Sequence, residues 1–220
     1  NKSNVDSYNI TLNWGLKLGI LISLPTMIGL ILLSKPILIT LLQYKEFSLN
    51  DVNMTSISLI AFALGLPGMI GAKILITNYY SRKNTRYPVK AALIAVIFNF
   101  ILNITFVIYL VKTEFNGAHV GLALATSISA YINFYLLFKT ALRTKILIID
   151  TNVGKILVKS IISTFIMSIF IMYFDLDFKT WTNLNLSERL LNLFLIITTS
   201  SIIYFILLYI FKISPKRINS

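Results

Sequence analysis

The chain has 220 residues, 56% of them hydrophobic and 13% charged, with a mean hydropathy of +0.80. Soluble domains carry about a quarter charged residues, so this composition belongs to the membrane class. The formal charge of +12 would suggest nucleic acid in a soluble chain, but in a membrane protein it marks cytoplasmic loops and lipid headgroups; with no cysteine, disulfides, thiol chemistry and Cys-bound metals are excluded.

The chain opens on Asn rather than Met, with no signal peptide before its first apolar run, and reads as part of a longer protein. Six stretches approach the roughly 20 apolar residues that a membrane-crossing helix needs. They are Leu12–Leu33, Ile57–Ile76, Ala91–Val111, Val120–Phe138, Ile156–Phe174 and Leu190–Phe211. All exceed the length of a buried strand, and none shows the short alternating segments of an outer-membrane barrel. The expected fold is all-α: a polytopic integral membrane helix bundle with six transmembrane helices.

The first span is followed by Lys35 and Pro36, and Lys35 is expected to snorkel to the headgroups. The second crowds Gly65, Pro67, Gly68 and Gly71 into seven residues, with Lys73 just after them and still inside the span. Such a run weakens a helix, either as a packing kink with close helix approach or as a break beside a cavity. The nearby lysine favours the cavity. Lys73 itself has two readings, a functional charge or a snorkelling anchor. No Asp or Glu lies within any of the six stretches, so a carboxylate-based proton relay has nothing to use.

The next segment, "NYYSRKNTRYPVK", holds Arg82, Lys83, Arg86 and Lys90 and no acid. The connection after the fourth span and the C-terminal tail, with Lys212, Lys216 and Arg217, are also basic, whereas the intervening connections are poorer in cations. Cytoplasmic loops collect Lys and Arg, so both ends of the chain are expected on the cytoplasmic side. In the third span Asn99 and Asn103 lie four apart, on one helix face. In the fourth, "GLALATSISAYIN" places Gly121, Ala125, Ser129 and Asn133 at spacing four, with Thr126 on an adjacent face. These residues either pair across the helices or offer oxygens to a small cation. After it, "KILIID" reads as a short amphipathic piece at the interface. His119 alone makes no metal site. No nucleophile–base set, phosphate loop or pair of catalytic carboxylates can be assembled, which argues against an enzyme.

"AKILITNYYSRKNTRYPVK" resembles the most distinctive segment of the MurJ/MviN lipid II flippases, members of the multidrug/oligosaccharidyl-lipid/polysaccharide exporter superfamily. The match is carried by Lys73, Leu75, Tyr79 and Tyr80, Ser81, Asn84-Thr85-Arg86, Pro88 and Lys90. "GLALATSISAYIN" resembles the family's helix start, and Phe47-Ser48-x-x-Asp51 its outer-loop pattern, with Lys45 where many members have Gly. The resemblance implies the last six of fourteen helices. Residues 1–145 would be the last four helices of the C-terminal transport lobe, and residues 146–220 an extra helix pair forming an apolar lipid-tail groove. It implies lipid II as substrate, moved across the bacterial cytoplasmic membrane by alternating access, with Lys73, Arg82, Arg86 and Lys90 near its headgroup. Thr85-Arg86-x-Pro88 would be a fixed cytoplasmic hinge. Asn99, Asn103 and Thr126 match a family sodium site, although Asn103 stands where a carboxylate would be. Expected partners are lipid II, membrane lipids and cell-wall synthesis proteins, not nucleic acid. No cofactor is expected beyond a monovalent cation or the membrane potential as driving force. The rival readings are another transporter of the superfamily (a polysaccharide-repeat flippase or a drug/cation antiporter) and a non-transporting scaffold for cell-wall synthesis.

Overall fold

The computed structural model describes residues 2–43, 47–112 and 118–213. Lys45, Lys216 and Arg217 lie outside the described residues. Within them all regular structure is helical: α1 (Lys2–Leu32), α2 (Ser34–Leu42), α3 (Leu49–Ala63), α4 (Leu66–Ser81), α5 (Arg86–Lys112), α6 (Ala118–Arg143), α7 (Thr151–Phe174), α8 (Phe178–Asn183) and α9 (Leu186–Ile210). Five of these are long and apolar enough to cross a membrane alone; α3 and α4, bent by 40° at their junction, make a sixth span if taken together. The expected six-span, all-α bundle is what the chain forms.

Each interruption in these helices has a local cause and a local remedy. Pro25 lies inside α1, where it has no N–H to give to the carbonyl of Leu21. That carbonyl instead accepts from the Tyr204 hydroxyl of α9 at 2.8 Å, and Tyr204 is in turn 2.9 Å from Ser160 Oγ of α7. One proline thereby ties three helices together. At the α3–α4 break the freed carbonyls are met from α6. Ser127 Oγ donates to Ala61 O at 2.6 Å, and the Tyr131 hydroxyl to Leu64 O at 2.8 Å.

The glycines there admit a close approach. A Cβ on Gly65 would lie 2.8 Å from Ser127 Cα, one on Gly68 3.0 Å from the Tyr131 backbone nitrogen, and one on Gly71 2.7 Å from the Phe134 ring. The glycine face of the kink is therefore a packing surface against α6. Pro67 occupies the first turn of α4, where its missing N–H costs nothing.

Helix ends follow the same logic. Phe47-Ser48-x-x-Asp51 is a capping box: Asp51 N–H donates to Ser48 Oγ, while the Asp51 carboxylate accepts from the Ser48 N–H at 2.8 Å. Lys83, Lys145 and Lys212 take left-handed φ angles of 56°, 55° and 56° just beyond α4, α6 and α9. There they place a cation at the negative end of the helix. After α4, Lys83 N–H reaches Tyr80 O and Asn84 N–H reaches Tyr79 O, so the basic loop is a tight turn of four residues, 82–85. Pro88 is buried in the first turn of α5.

Lys35 is exposed, with its ammonium 5.2 Å over the Phe178 ring of α8. Beside it Trp181, 1% exposed, donates from its indole to Asp175. Burial pushes the Asp175 carboxyl above its ordinary value, and the indole bond opposes that rise. Arg189 donates to the carbonyls of Leu184, Ile39 and Thr182, joining α8, α9 and α2.

The core has two clusters, and α1 belongs to both. Leu21, Leu33, Ile39, Met167, Ile171, Trp181, Ile196 and Tyr204 form one. Leu12, Leu16, Ala72, Leu75, Tyr79, Ala91, Leu137 and Leu147 form the other. The C-terminal pair, α7 and α9, is thus packed on α1. The outward faces of α5, α7 and α9 leave Phe100, Phe165, Met172, Phe194 and Phe205 exposed, as suits a lipid surround.

Candidate functional site

Four features stand out, three of them on α1. The first is an apolar cleft of about 280 Å³ between α1, α7 and α9. Leu21, Ile22, Pro25, Gly29, Leu30 and Leu33 line one wall, and Met167, Ile171, Ile197, Tyr204 and Phe205 the other, with Thr26, Ser200 and Ser201 among the polar residues. Leu21, Pro25 and Tyr204 of the proline-centred junction form part of this wall. Gly29 faces open space: nothing lies within 4 Å of the place a Cβ would take.

The second is a groove of about 520 Å³ between α1 and α4, at the end of the bundle that carries the basic loop. Lys73 is exposed there, beside Tyr8, Thr11, Trp14, Thr77, Asn78 and Ser81. It forms no ion pair among the described residues. The kink therefore has two sides, since α4 packs its glycines on α6 and turns Lys73 toward the groove with α1.

The basic loop adds cations of two kinds. Arg82 is half-buried and tied down: Nε donates to Asn78 Oδ1 at 3.2 Å, Nη2 to Ile146 O at 3.3 Å, and its guanidinium lies 5.0 Å over the Tyr8 ring. Arg86 and Lys90 are exposed on the first turn of α5. Of the four cations read from the sequence, Arg82 is held within the fold, while Lys73, Arg86 and Lys90 keep their charges available.

The third is the polar seam of α5 and α6. Asn103 Nδ2 donates to Asn99 Oδ1 at 3.0 Å, along one face of α5. Asn103 Oδ1, Ser129 Oγ and Asn133 Oδ1 are buried without a partner among the described residues. Thr126 Oγ1 bonds back to the Leu122 carbonyl of its own helix. The structure thus joins the two asparagines and shows no bond from Thr126 to either.

The fourth feature corrects the sequence reading. Lys17, within the first apolar stretch, was not counted among the intramembrane cations, yet it is the most buried charge described, at 2% exposure. Its ammonium is 2.6 Å from the Asp150 carboxylate. Asp150 also caps α7, accepting from the Asn152 N–H at 2.9 Å. That bond first, and Lys17 second, hold its carboxyl below the ordinary value. "KILIID", read as a short amphipathic piece at the interface, has its polar contacts inside the fold. Residues 147–150 are irregular, and the segment docks on α1 through Asn9 and Asn13. The available signal was the spacing of Asn9, Asn13 and Lys17 at four, a polar stripe entering an apolar helix.

Among the described residues no group of three or more His, Cys, Asp or Glu could hold a metal, and His119 Nε2 lies 3.3 Å from the Met54 carbonyl.

Comparison with known proteins adds to this geometry. The family model described as lipid II flippase MurJ matches residues 1–192. A probable lipid II flippase MurJ from Haemophilus influenzae is 32% identical over 203 residues, covering 92% of this chain and 38% of that protein. The corresponding protein of Buchnera aphidicola subsp. Schizaphis graminum is 30% identical over 202 residues, again covering 92% and 38%. A solved structure, lipid II flippase MurJ in an inward closed conformation, superposes with a TM-score of 0.74 at 30% identity, over 94% of this chain and 39% of that one. The chain therefore spans somewhat more than a third of the length of the relatives it matches. With a matching family model over most of its residues and a shared fold, the chain belongs to the MurJ lipid II flippase family.

Proposed function

We propose that this chain is the C-terminal portion of a lipid II flippase, a transporter rather than an enzyme. The protein moves the undecaprenyl-pyrophosphate-linked peptidoglycan precursor from the inner to the outer leaflet of the bacterial cytoplasmic membrane by alternating access. The observation that carries this reading is the apolar cleft between α1, α7 and α9. A polyisoprenoid tail needs a continuous apolar wall, and burying such surface contributes about 25 cal/mol per Å². The headgroup needs cations within the membrane, which Lys73 offers in the α1–α4 groove, while Arg86 and Lys90 add exposed cations at the start of α5. Two separate environments, one apolar and one cationic, suit the two chemical halves of a lipid-linked pyrophosphate.

The basic loop lies on the cytoplasmic face in this reading, with both ends of the segment on the same side. The asparagine pair of α5 with Thr126 is where a monovalent cation would be held. The unpartnered Asn103 Oδ1 is a fitting donor, and a neutral oxygen set suits a weakly held monovalent ion better than a divalent one.

The test uses the open space at Gly29. Gly29→Leu adds a side chain to the cleft wall at a position where a Cβ meets nothing within 4 Å, whereas Gly154→Leu, equally open at Cβ but outside the cleft, serves as the control. In cells depleted of their own flippase, Gly29→Leu in the full-length protein is expected to insert at normal level and fail to complement, while Gly154→Leu complements. Full complementation by Gly29→Leu at normal level would show that no tail occupies the cleft.

A further inference from the structure

Three polar side chains of α1, at spacing four, meet one extended segment at alternate residues. Asn9 bonds Ile148 on both sides, accepting from its N–H at 2.9 Å and donating to its carbonyl at 3.3 Å. Asn13 donates to the same carbonyl at 2.8 Å and accepts from the Asp150 N–H at 3.0 Å. Lys17 then takes the Asp150 carboxylate. The periods match: four residues of α-helix rise about 6 Å, and two residues of extended chain about 6.6 Å. A helix face thus acts as the neighbouring strand for residues 148–150, and Arg82 holds Ile146 O from the α4 side. The α-helix that follows begins at Thr151, so the residue gripped by Lys17 also sets where α7 starts.

We propose that Asn9, Asn13 and Lys17 are positioning residues that fix α7 against α1 and thereby set the width of the cleft. Leu21, one turn beyond Lys17, opens the α1 wall of that cleft, and Met167 and Ile171 of α7 face it. The assignment rests on the reading of the cleft as the tail groove for its functional consequence, but not for its structural content. The Lys17 charge is consumed by Asp150 and does not meet substrate.

Two measurements on the full-length protein separate these parts. Hydrogen exchange reads the clamp directly. The Ile148 and Asp150 amides are expected to be protected although they lie outside any helix, because both are hydrogen-bonded to α1; Asn9→Ala is expected to speed exchange at Ile148, and Asn13→Ala at Asp150, each by about tenfold, the loss of one hydrogen bond. Unchanged exchange in both variants overturns the clamp. Complementation reads the role of the charge. Asp150→Asn keeps a capping side chain but removes the carboxylate charge that balances Lys17, and is expected to lose activity. Lys17→Met combined with Asp150→Asn removes both charges and is expected to restore it to within about twofold of wild type, an interaction seen only between coupled neighbours. A double variant as inactive as Asp150→Asn overturns the positioning role, because it would mean that the lysine charge itself is needed. If the exchange results hold and the wild-type protein moves no lipid-linked precursor, the clamp stands and the transport reading falls.

Discussion

Lys17 and Lys73 are both lysines in apolar helices, on the facing elements α1 and α4, and the structure treats them oppositely. Lys17 is buried and spends its charge on Asp150 within the fold. Lys73 is exposed toward a groove and forms no ion pair among the described residues. The residue type is the same; what differs is the partner that the opposite element supplies. The linker before α7 brings a carboxylate to Lys17, and no described element brings one to Lys73. A charge that the fold has neutralised is architecture, and one it has left open is available to a ligand.

That contrast can be broken in order of expected effect. Asp150→Ala is expected to cost about 3 kcal/mol of stability, because it takes the carboxylate counter-charge from the buried Lys17 ammonium and also removes the α7 cap. Lys73→Ala is expected to cost less than about 0.5 kcal/mol, as for exposed substitutions generally. Thermal unfolding in detergent measures both, and equal losses would erase the distinction. The basic loop repeats the comparison on a smaller scale. Arg82→Ala gives up bonds to Asn78 and Ile146 and the face of Tyr8, and is expected to destabilise by about 1–2 kcal/mol; Arg86→Ala, solvated on α5, is expected to be near neutral. The smallest effect is that of pH. The Asp150 carboxyl is held below its ordinary value, so its contribution is fully present above the unfolded-state value of about 4 and is lost only as pH falls through the lowered one. Exchange protection at Ile148 should therefore be the same at pH 7.5 and pH 5.5, after correction for intrinsic rates. Loss of protection at pH 5.5 would contradict the depressed carboxylate.

The fold was largely legible because helix length and apolarity report directly on the membrane. All six apolar stretches became spans, and Gly65 and Pro67 located the one that breaks. The remedies at the interruptions were not legible. Ser127, Tyr131 and Tyr204 donate to backbone carbonyls 66, 67 and 183 residues away in sequence, and a carbonyl carries no sequence signature. Lys17 escaped for a related reason. No acid lies within the spans to pair with it, and Asp150 lies just before α7, in a segment that reads as a short amphipathic piece at the interface. The polar stripe of Asn9, Asn13 and Lys17 was visible in the sequence, whereas the extended segment that makes sense of it requires three dimensions. The site was legible in part: Lys73 and the asparagine pair stood out as polar groups in apolar helices, while the tethering of Arg82 depended on Tyr8 and Ile146, from distant elements.

The central claim is that Lys73 meets the substrate and Lys17 holds the fold. Complementation of flippase-depleted cells by the full-length protein, with expression checked by blot, tests it most directly through Lys73→Ala and Lys73→Arg. Lys73→Ala is predicted to reach normal levels in the membrane and to fail, and Lys73→Arg to retain more activity because it keeps a cation in the α1–α4 groove. Full complementation by Lys73→Ala at normal expression would make Lys73 a membrane anchor and would contradict the account.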